Sequence, residues 1–327
     1  KAVSGPGKGH ARNITGKIIN DSYIFRMSTI AYACQQALNA IPLAALYALL
    51  AFGYALTFGL TRRTEFTTGA LFAFSGQLFV LLTAFGWNRL WLIYPAALAF
   101  GGLTAFTYTL LVARLIGRQV TGPLLARAPN ALIVASLAVM IILMELVRLA
   151  ADNRSLWISP ILNERVIFAG EGVAAVVLTK LQILNALVMG SVVLCGSFFL
   201  VRSRAGRHWR AVADDRLAAR LMGVDDVRVL VLTGMATAAL VAIAGIFGTA
   251  YYGNMDFGAG LMFGLKVVMI ASLGEQTSPI RSALGAALYG AIETFWGAYL
   301  SFEWRDAALF SGLVLLAVLF RKREAVV

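Results

Sequence analysis

Charge is what this 327-residue sequence most lacks: 13% of its residues are Asp, Glu, Lys or Arg, against 60% hydrophobic. Soluble domains carry about 25% charged and roughly 45–50% apolar residues, so the composition excludes an ordinary water-soluble domain. Cysteine and histidine are scarce, at two each. Cys34 and Cys195 both fall in apolar runs, which argues against a structural disulfide. His10 and His208 have no cysteine or carboxylate cluster at ligand spacing, so neither a metal nor another cofactor is expected. No GxxxxGK[ST] phosphate loop occurs: Gly16-Lys17 runs into Ile18 with no glycine five positions earlier. The chain is therefore not expected to hydrolyse ATP by itself. Ser-His or Glu-His pairs at useful spacing are missing too, so a hydrolase has nothing to stand on.

What is there is apolar sequence in long runs, with a mean hydropathy of +0.79. The net charge of +12 suggests nucleic acid at first sight. The basic residues, however, sit at the ends of apolar runs, where membrane topology explains them. Residues 1–26 differ in character, being glycine-rich and basic, and lack the apolar stretch of a secretory signal. They are set apart as a leader expected to be poorly ordered or non-native, leaving 27–327 as one transmembrane domain.

About 20 apolar residues cross the hydrocarbon of a bilayer. Met27–Thr61 is charge-free and interrupted only by Pro42. Further runs cover about 70–88, Leu90–Ala113, about 130–150, about 177–201, Val229–Met255, Leu284–Leu300 and about 307–320. A short piece, Leu261–Leu273, lies between Val229–Met255 and Leu284–Leu300. The reading is an all-α, polytopic transmembrane helical bundle of about eight full spans plus one short or re-entrant helix. A linker with Gly122, Pro123 and Pro129 and a mixed polar loop over 151–176 separate neighbouring runs.

Alternation places Arg62/Arg63, Arg114/Arg118/Arg127, Arg202–Arg228 and Arg321–Arg323 on one side. The loops on the other side carry Arg89, Arg148, Arg154, Arg165 and Arg305. The positive-inside rule makes the richer side cytoplasmic, with the C-terminus inside.

The one long polar stretch is the loop 202–228. Trp209, Ala213, Leu217 and Leu221 recur every four residues, which predicts one greasy helical face opposite the charges. Gly223 stands where a left-handed cap would end that helix. Such an element is either a linker lying at the lipid headgroups or a docking surface for a cytoplasmic protein.

Charged residues inside apolar runs cost a few kcal/mol each and face a cavity or a partner. Glu65, Glu145, Lys266 and Glu293 qualify. Glu145 and Arg148 are spaced to pair, and Lys266 either snorkels or pairs with Glu293. Four such residues without a charged stripe make a poor ion relay. Two segments, Thr64–Gly69 and Gly274–Pro279, break the helical pattern. They are either turns between hairpin spans or broken helices beside a substrate path. Gly260 and Gly264 form a small-xxx-small pair suited to close helix packing.

At the arginine-rich loop the sequence resembles the permease subunits of branched-chain amino acid ABC importers. The residues that carry the likeness are Ser203-Arg204-Ala205-Gly206-Arg207-His208-Trp209-Arg210-Ala211, the acidic pair Asp214-Asp215, Ala219 and Gly223-Val224. Downstream, Gly264-Leu265-Lys266, Ala286–Glu293, Ala298-Tyr299-Leu300 and Trp304-Arg305-Asp306 stand where that family has similar residues.

The resemblance implies an importer subunit in the inner membrane whose coupling helix fits a groove on an ATPase subunit. Arg207, Arg210, Asp214, Asp215, Arg216, Leu217, Ala219 and Gly223 would belong to that helix. It also implies a second homologous permease, an extracytoplasmic substrate-binding protein, a small-molecule substrate and contact with membrane lipid, but no nucleic acid.

Glu65, Phe66, Thr67, Thr68, Gly69, Gly274, Glu275 and Glu293 become candidates for the translocation path. Two of these segments depart from the family pattern: Thr64–Ala70 keeps only its Phe and Gly, and Leu273–Pro279 replaces a glycine-rich motif. Amides or urea are therefore alternatives to branched-chain or other amino acids, and an ion-coupled secondary transporter is the rival mechanism.

Overall fold

The computed structural model describes residues 8–83, 94–118, 131–159, 162–169 and 175–319, with the backbone alone for 8–30, 94–102 and 316–319. The Gly122–Pro129 linker, Arg89, Arg127 and Arg321–Arg323 lie outside these residues. The helices are α1 (Lys8–Thr61), α2 (Thr67–Leu82), α3 (Tyr94–Ile116), α4 (Ala131–Ala150), α5 (Lys180–Arg202) and α6 (Arg204–Asp214). They continue as α7 (Arg216–Leu221), α8 (Asp226–Tyr252), α9 (Ala259–Ala271), α10 (Pro279–Tyr299) and α11 (Arg305–Leu319). Each apolar run of the sequence coincides with a helix. Residues 8–26, set apart above as a leader, continue α1 toward the N-terminus.

The expected eight spans stand, among the described residues, as four helices long and apolar enough to cross a bilayer: Ala31–Thr61 of α1, then α4, α5 and α8. Residues Ala259–Gly274 and Pro279–Tyr299 form a pair bent by 111°, a broken span or re-entrant loop, and α2 and Leu103–Ile116 are shorter apolar helices. The short piece expected over Leu261–Leu273 is α9, and the Gly274–Pro279 segment is the bend that joins it to α10.

The polar loop over 151–176 differs from the sequence reading. It contains a β-hairpin, β1 (Arg165–Ala169) against β2 (Val176–Thr179), antiparallel with Val166 opposite Leu178 and an irregularity after Ile167. Gln35 of α1 completes the edge as a strand would. Its Nε2 donates to the Val177 carbonyl and its Oε1 accepts from the Val177 amide, both at 2.8 Å. The span expected from about 177 therefore starts at Lys180, where Thr179 and Gln182 form a reciprocal capping box.

α1 is the buried axis of the bundle, and α10 is its most extensive partner. The contact is close because both backbones carry small residues: a Cβ on Gly290 would lie 2.8 Å from the Ala44 Cα. Although short, α2 is enclosed by α3, α4, α8 and α9. Glycines again set the distance. A Cβ on Gly69 would fall 2.4 Å from the Gly264 Cα, and one on Gly245 would fall 2.4 Å from the Phe72 carbonyl. The expected small-residue packing at Gly260 and Gly264 is thus the crossing of α9 over the first turn of α2. α5, by contrast, turns most of its surface outward, with Leu187, Leu194 and Phe198 exposed. This is what a lipid-facing helix shows.

Candidate functional site

The loop 202–228 folds as two short helices joined at an angle. Ser203 caps α6 by accepting from the Gly206 amide at 2.9 Å. Arg210 donates to the Leu200 and Val201 carbonyls at 2.5 and 3.3 Å, which closes the end of α5. α6 stops at Asp215, whose extended backbone (φ −139°, ψ 109°) ends one helix while its carboxylate caps the next. The Leu217 and Ala218 amides donate to that carboxylate at 2.8 and 3.0 Å.

This break corrects the single greasy face expected from the four-residue spacing. A non-helical residue resets the helical phase, so Trp209 points inward while Leu217 and Leu221 point out, at 67% and 80% exposed. Met222, at 84%, extends the outward patch. Ala219 is buried, Arg207 and Asp214 are exposed, and Gly223 takes φ +84° as the expected left-handed cap.

Two clamps hold this element. Asp226, with its side chain 6% exposed, accepts from Arg216 Nε at 2.5 Å and from Arg220 Nε and Nη2 at 2.7 Å each. Facing that carboxylate raises the Arg220 guanidinium above its ordinary pKa. The second clamp joins α6 to α1. Trp209 Nε1 donates to the Leu56 carbonyl at 3.1 Å, and Arg62 Nη2 donates to the Ala213 carbonyl at 2.8 Å.

Trp209 is also seated over Gly59, where a Cβ would come within 2.6 Å of the indole and 3.5 Å of the Thr277 carbonyl. The loop, the end of α1 and the bend between α9 and α10 therefore meet at one point. Spacing in the sequence pointed to the loop but not to Trp209 as its anchor, nor to Asp226 and Arg62. Their partners are distant along the chain and leave no periodic signal.

The remaining candidates fall in three places. Glu65 is 2% exposed in the turn between α1 and α2, and the Phe66 amide donates to Ser136 Oγ at 3.1 Å. Thr67, Thr68 and Gly69 are buried in the first turn of α2, beneath α9. Gly274 and Glu275 lie in the bend, where Glu275 pairs with Arg281 at 2.6 Å on the surface. Glu293 is buried on α10, its Oε1 2.8 Å from Lys266 Nζ and 3.8 Å from Arg305 Nε. The Lys266 ammonium also lies 5.1 Å from the Tyr47 ring centroid and 5.8 Å from that of Tyr289. The Lys266–Glu293 pairing read from the sequence is present, as is Glu145–Arg148 at 2.6 Å. α9 thus touches two of the three groups, Phe66–Gly69 and Glu293, while the Gly274–Glu275 group lies beyond its end.

Among the described residues, no three His, Cys, Asp or Glu side chains are grouped to hold a metal. A family model described as branched-chain amino acid transport system / permease component matches residues 36–319. The chain belongs to that family.

The permease is 30% identical over 303 residues to the high-affinity branched-chain amino acid transport system permease protein BraD of Pseudomonas aeruginosa, covering 90% of this chain and 96% of BraD. It is 28% identical over 289 residues to LivH of Salmonella typhimurium and 27% identical to LivH of Escherichia coli K12, in each case over 87% of this chain and 92% of the relative. No solved structure matches.

Proposed function

We propose that this permease is the transmembrane subunit of an ATP-driven importer for branched-chain or related amino acids, moved by an ATPase on separate chains. In this reading residues 27–327 form one domain in the inner membrane. The loop 202–228 and the C-terminus face the cytoplasm, as the arginine distribution favours. A second homologous permease completes the pathway, and an extracytoplasmic binding protein delivers the substrate.

The observation that carries the reading is the outward apolar patch Leu217, Leu221 and Met222 on an element rigidly tied to α1. Such a surface at the polar end of a bundle suits a protein partner, and its anchorage lets a push on α7 reach the spans. Trp209 passes that push to Gly59 of α1 and to the α9–α10 bend. The bend carries Gly274 and Glu275, and α9 leans on Phe66–Gly69 and Glu293, so the same motion reaches each of these path candidates. The amide or urea alternative and the ion-coupled alternative have no specific observation in their favour.

The test is reconstitution of the permease with its ATPase and binding protein. Leu217→Asp/Leu221→Asp should abolish substrate-stimulated ATP hydrolysis and uptake while leaving insertion and thermal stability unchanged, because both side chains are exposed. Full ATPase stimulation in that variant would remove the docking role. Uptake without any ATPase subunit would remove the importer reading altogether.

A further inference from the structure

An apolar groove of about 470 Å³ opens between α1, α5 and α8, with α6 across its polar end. Leu56, Phe199, Trp209, Leu232 and Ala236 are among its walls, and His208 and Thr233 supply its few polar atoms. Three walls are helices apolar enough to cross a membrane. Phe199 and Leu232 on two of those helices are 59% and 54% exposed, so the groove opens on the outer, apolar surface of this chain.

Its polar end is basic. Arg204 sits one helical turn before His208 on α6, and Arg228 sits one turn before Leu232 on α8. Residues four apart share a helix face, so both arginines lie beside groove-lining positions. Both are exposed, and neither side chain has a hydrogen bond or ion pair among the described residues. Of the other arginines in the loop, Arg210 is committed to the α5 carbonyls, and Arg216 and Arg220 to Asp226. Arg202 lies 6.0 Å from the Phe198 ring centroid, and Arg207 is exposed, but neither stands four residues before a groove-lining position of its own helix, as Arg204 and Arg228 do. An outward-opening apolar slot ending in two uncommitted guanidinium groups has the polarity of one kind of ligand, an acyl chain joined to an anion.

We infer that this groove binds an anionic phospholipid, with an acyl chain along α5 and α8 and the phosphate between Arg204 and Arg228. Guanidinium groups suit phosphate through paired N–H donors. Basic pockets between spans on the cytoplasmic side recognise anionic headgroups in the same way. The inference rests on the proposed orientation only for which leaflet supplies the lipid. One lining residue is Trp209, the link between the loop and α1, so an occupied groove would brace that link from the side.

Trp209 also provides the readout, because brominated acyl chains quench an indole they touch. The full chain is placed in phosphatidylcholine nanodiscs containing a minor fraction of brominated phosphatidylglycerol or brominated phosphatidylcholine. Subtracting the signal of Trp209→Phe isolates the Trp209 component. The brominated anionic lipid should quench that component at a fraction on the order of tenfold lower than the neutral one. Arg204→Gln/Arg228→Gln should erase the preference, each single variant should reduce it, and Ala236→Phe should block quenching by either lipid. Equal quenching by both lipids, or a preference untouched by the arginine variants, would leave only ordinary boundary lipid and overturn the site. Absence of quenching by any lipid would mean that protein fills the groove. None of these readings depends on transport, so the site and the importer reading stand or fall separately.

Discussion

Trp209 sets the Cζ2–Cη2 edge of its ring against Gly59, its indole Nε1 bonded to the Leu56 carbonyl at 3.1 Å and that edge where a side chain on residue 59 would begin. The contact joins a polar loop to the most buried of the four long apolar helices. Replacing Trp209 with Ala should destabilise the fold by about 3–5 kcal/mol, the usual cost of removing a large buried aromatic. Gly59→Ala is the sharper experiment, because it keeps the indole and only displaces it. A Cβ 2.6 Å from Cζ2 forces the ring or α6 to move. Uptake by the reconstituted system should fall severalfold while Trp209 fluorescence shifts toward that of an exposed indole. An unshifted spectrum with normal uptake would show that the contact transmits nothing.

The Asp226 carboxylate organises α7 by holding Arg216 and Arg220 together. Asp226→Asn keeps the shape but leaves two guanidinium groups without their counter-charge, a loss of roughly 2 kcal/mol for charge-assisted bonds that are partly exposed. α7 has six residues and, among the described residues, no other ion pair, so it should loosen locally rather than unfold the chain. Limited proteolysis should cut between residues 214 and 224 faster than in the wild type, with the melting temperature of the bundle little changed. Equal cleavage rates would mean that the Asp215 cap alone suffices.

Lys266 and Glu293 are a pair with both side chains nearly inaccessible, 4% and 6% exposed. Breaking a buried pair from one side strands a charge and typically costs 3–5 kcal/mol, whereas removing both partners is far milder. Lys266→Met should therefore reduce the amount of folded chain sharply, and Lys266→Met/Glu293→Gln should restore much of it. Arg305, 3.8 Å from Glu293, would soften Lys266→Met but would aggravate Glu293→Gln. A double variant no better than the worse single one would show that the pair has a role beyond mutual neutralisation. Thermal melts of the four proteins in detergent decide this.

Which of these features could be read in the sequence follows from their range along the chain. Apolar runs mark the helices because each must satisfy its own backbone in lipid. Gly223 was legible as a cap because a helix stop is a local event, and Lys266 and Glu293 because a charge in an apolar run needs a partner. The break at Asp215 was not legible: the four-residue spacing of Trp209, Ala213, Leu217 and Leu221 runs straight through it, and only the cap geometry shows the phase change. The hairpin was missed because its edge is completed by Gln35, some 142 residues before Val177. The anchor of the loop was missed for the same reason, as Leu56 and Trp209 are 153 apart.

The crossing of α2 and α9 yields an asymmetric prediction that no substitution scale contains. Gly69 and Gly264 face each other, yet a Cβ on Gly69 would lie 2.4 Å from the Gly264 Cα and 2.5 Å from the Gly260 carbonyl. A Cβ on Gly264 would meet Phe66 at 3.5 Å and the Gly69 Cα at 3.6 Å, ordinary contact distances. Backbone cannot step aside as a side chain can, so Gly69→Ala must push the helices apart at the point where Phe66–Gly69 meets α9. Overpacking of this kind costs about 1–3 kcal/mol, and the displaced groups are the path candidates themselves. Gly264→Ala should leave stability and uptake close to wild type, while Gly69→Ala should lower the melting temperature and cut uptake severalfold. Equal tolerance of both substitutions would mean that α9 slides freely over α2. In that case the crossing cannot carry motion from the α9–α10 bend to residues 66–69.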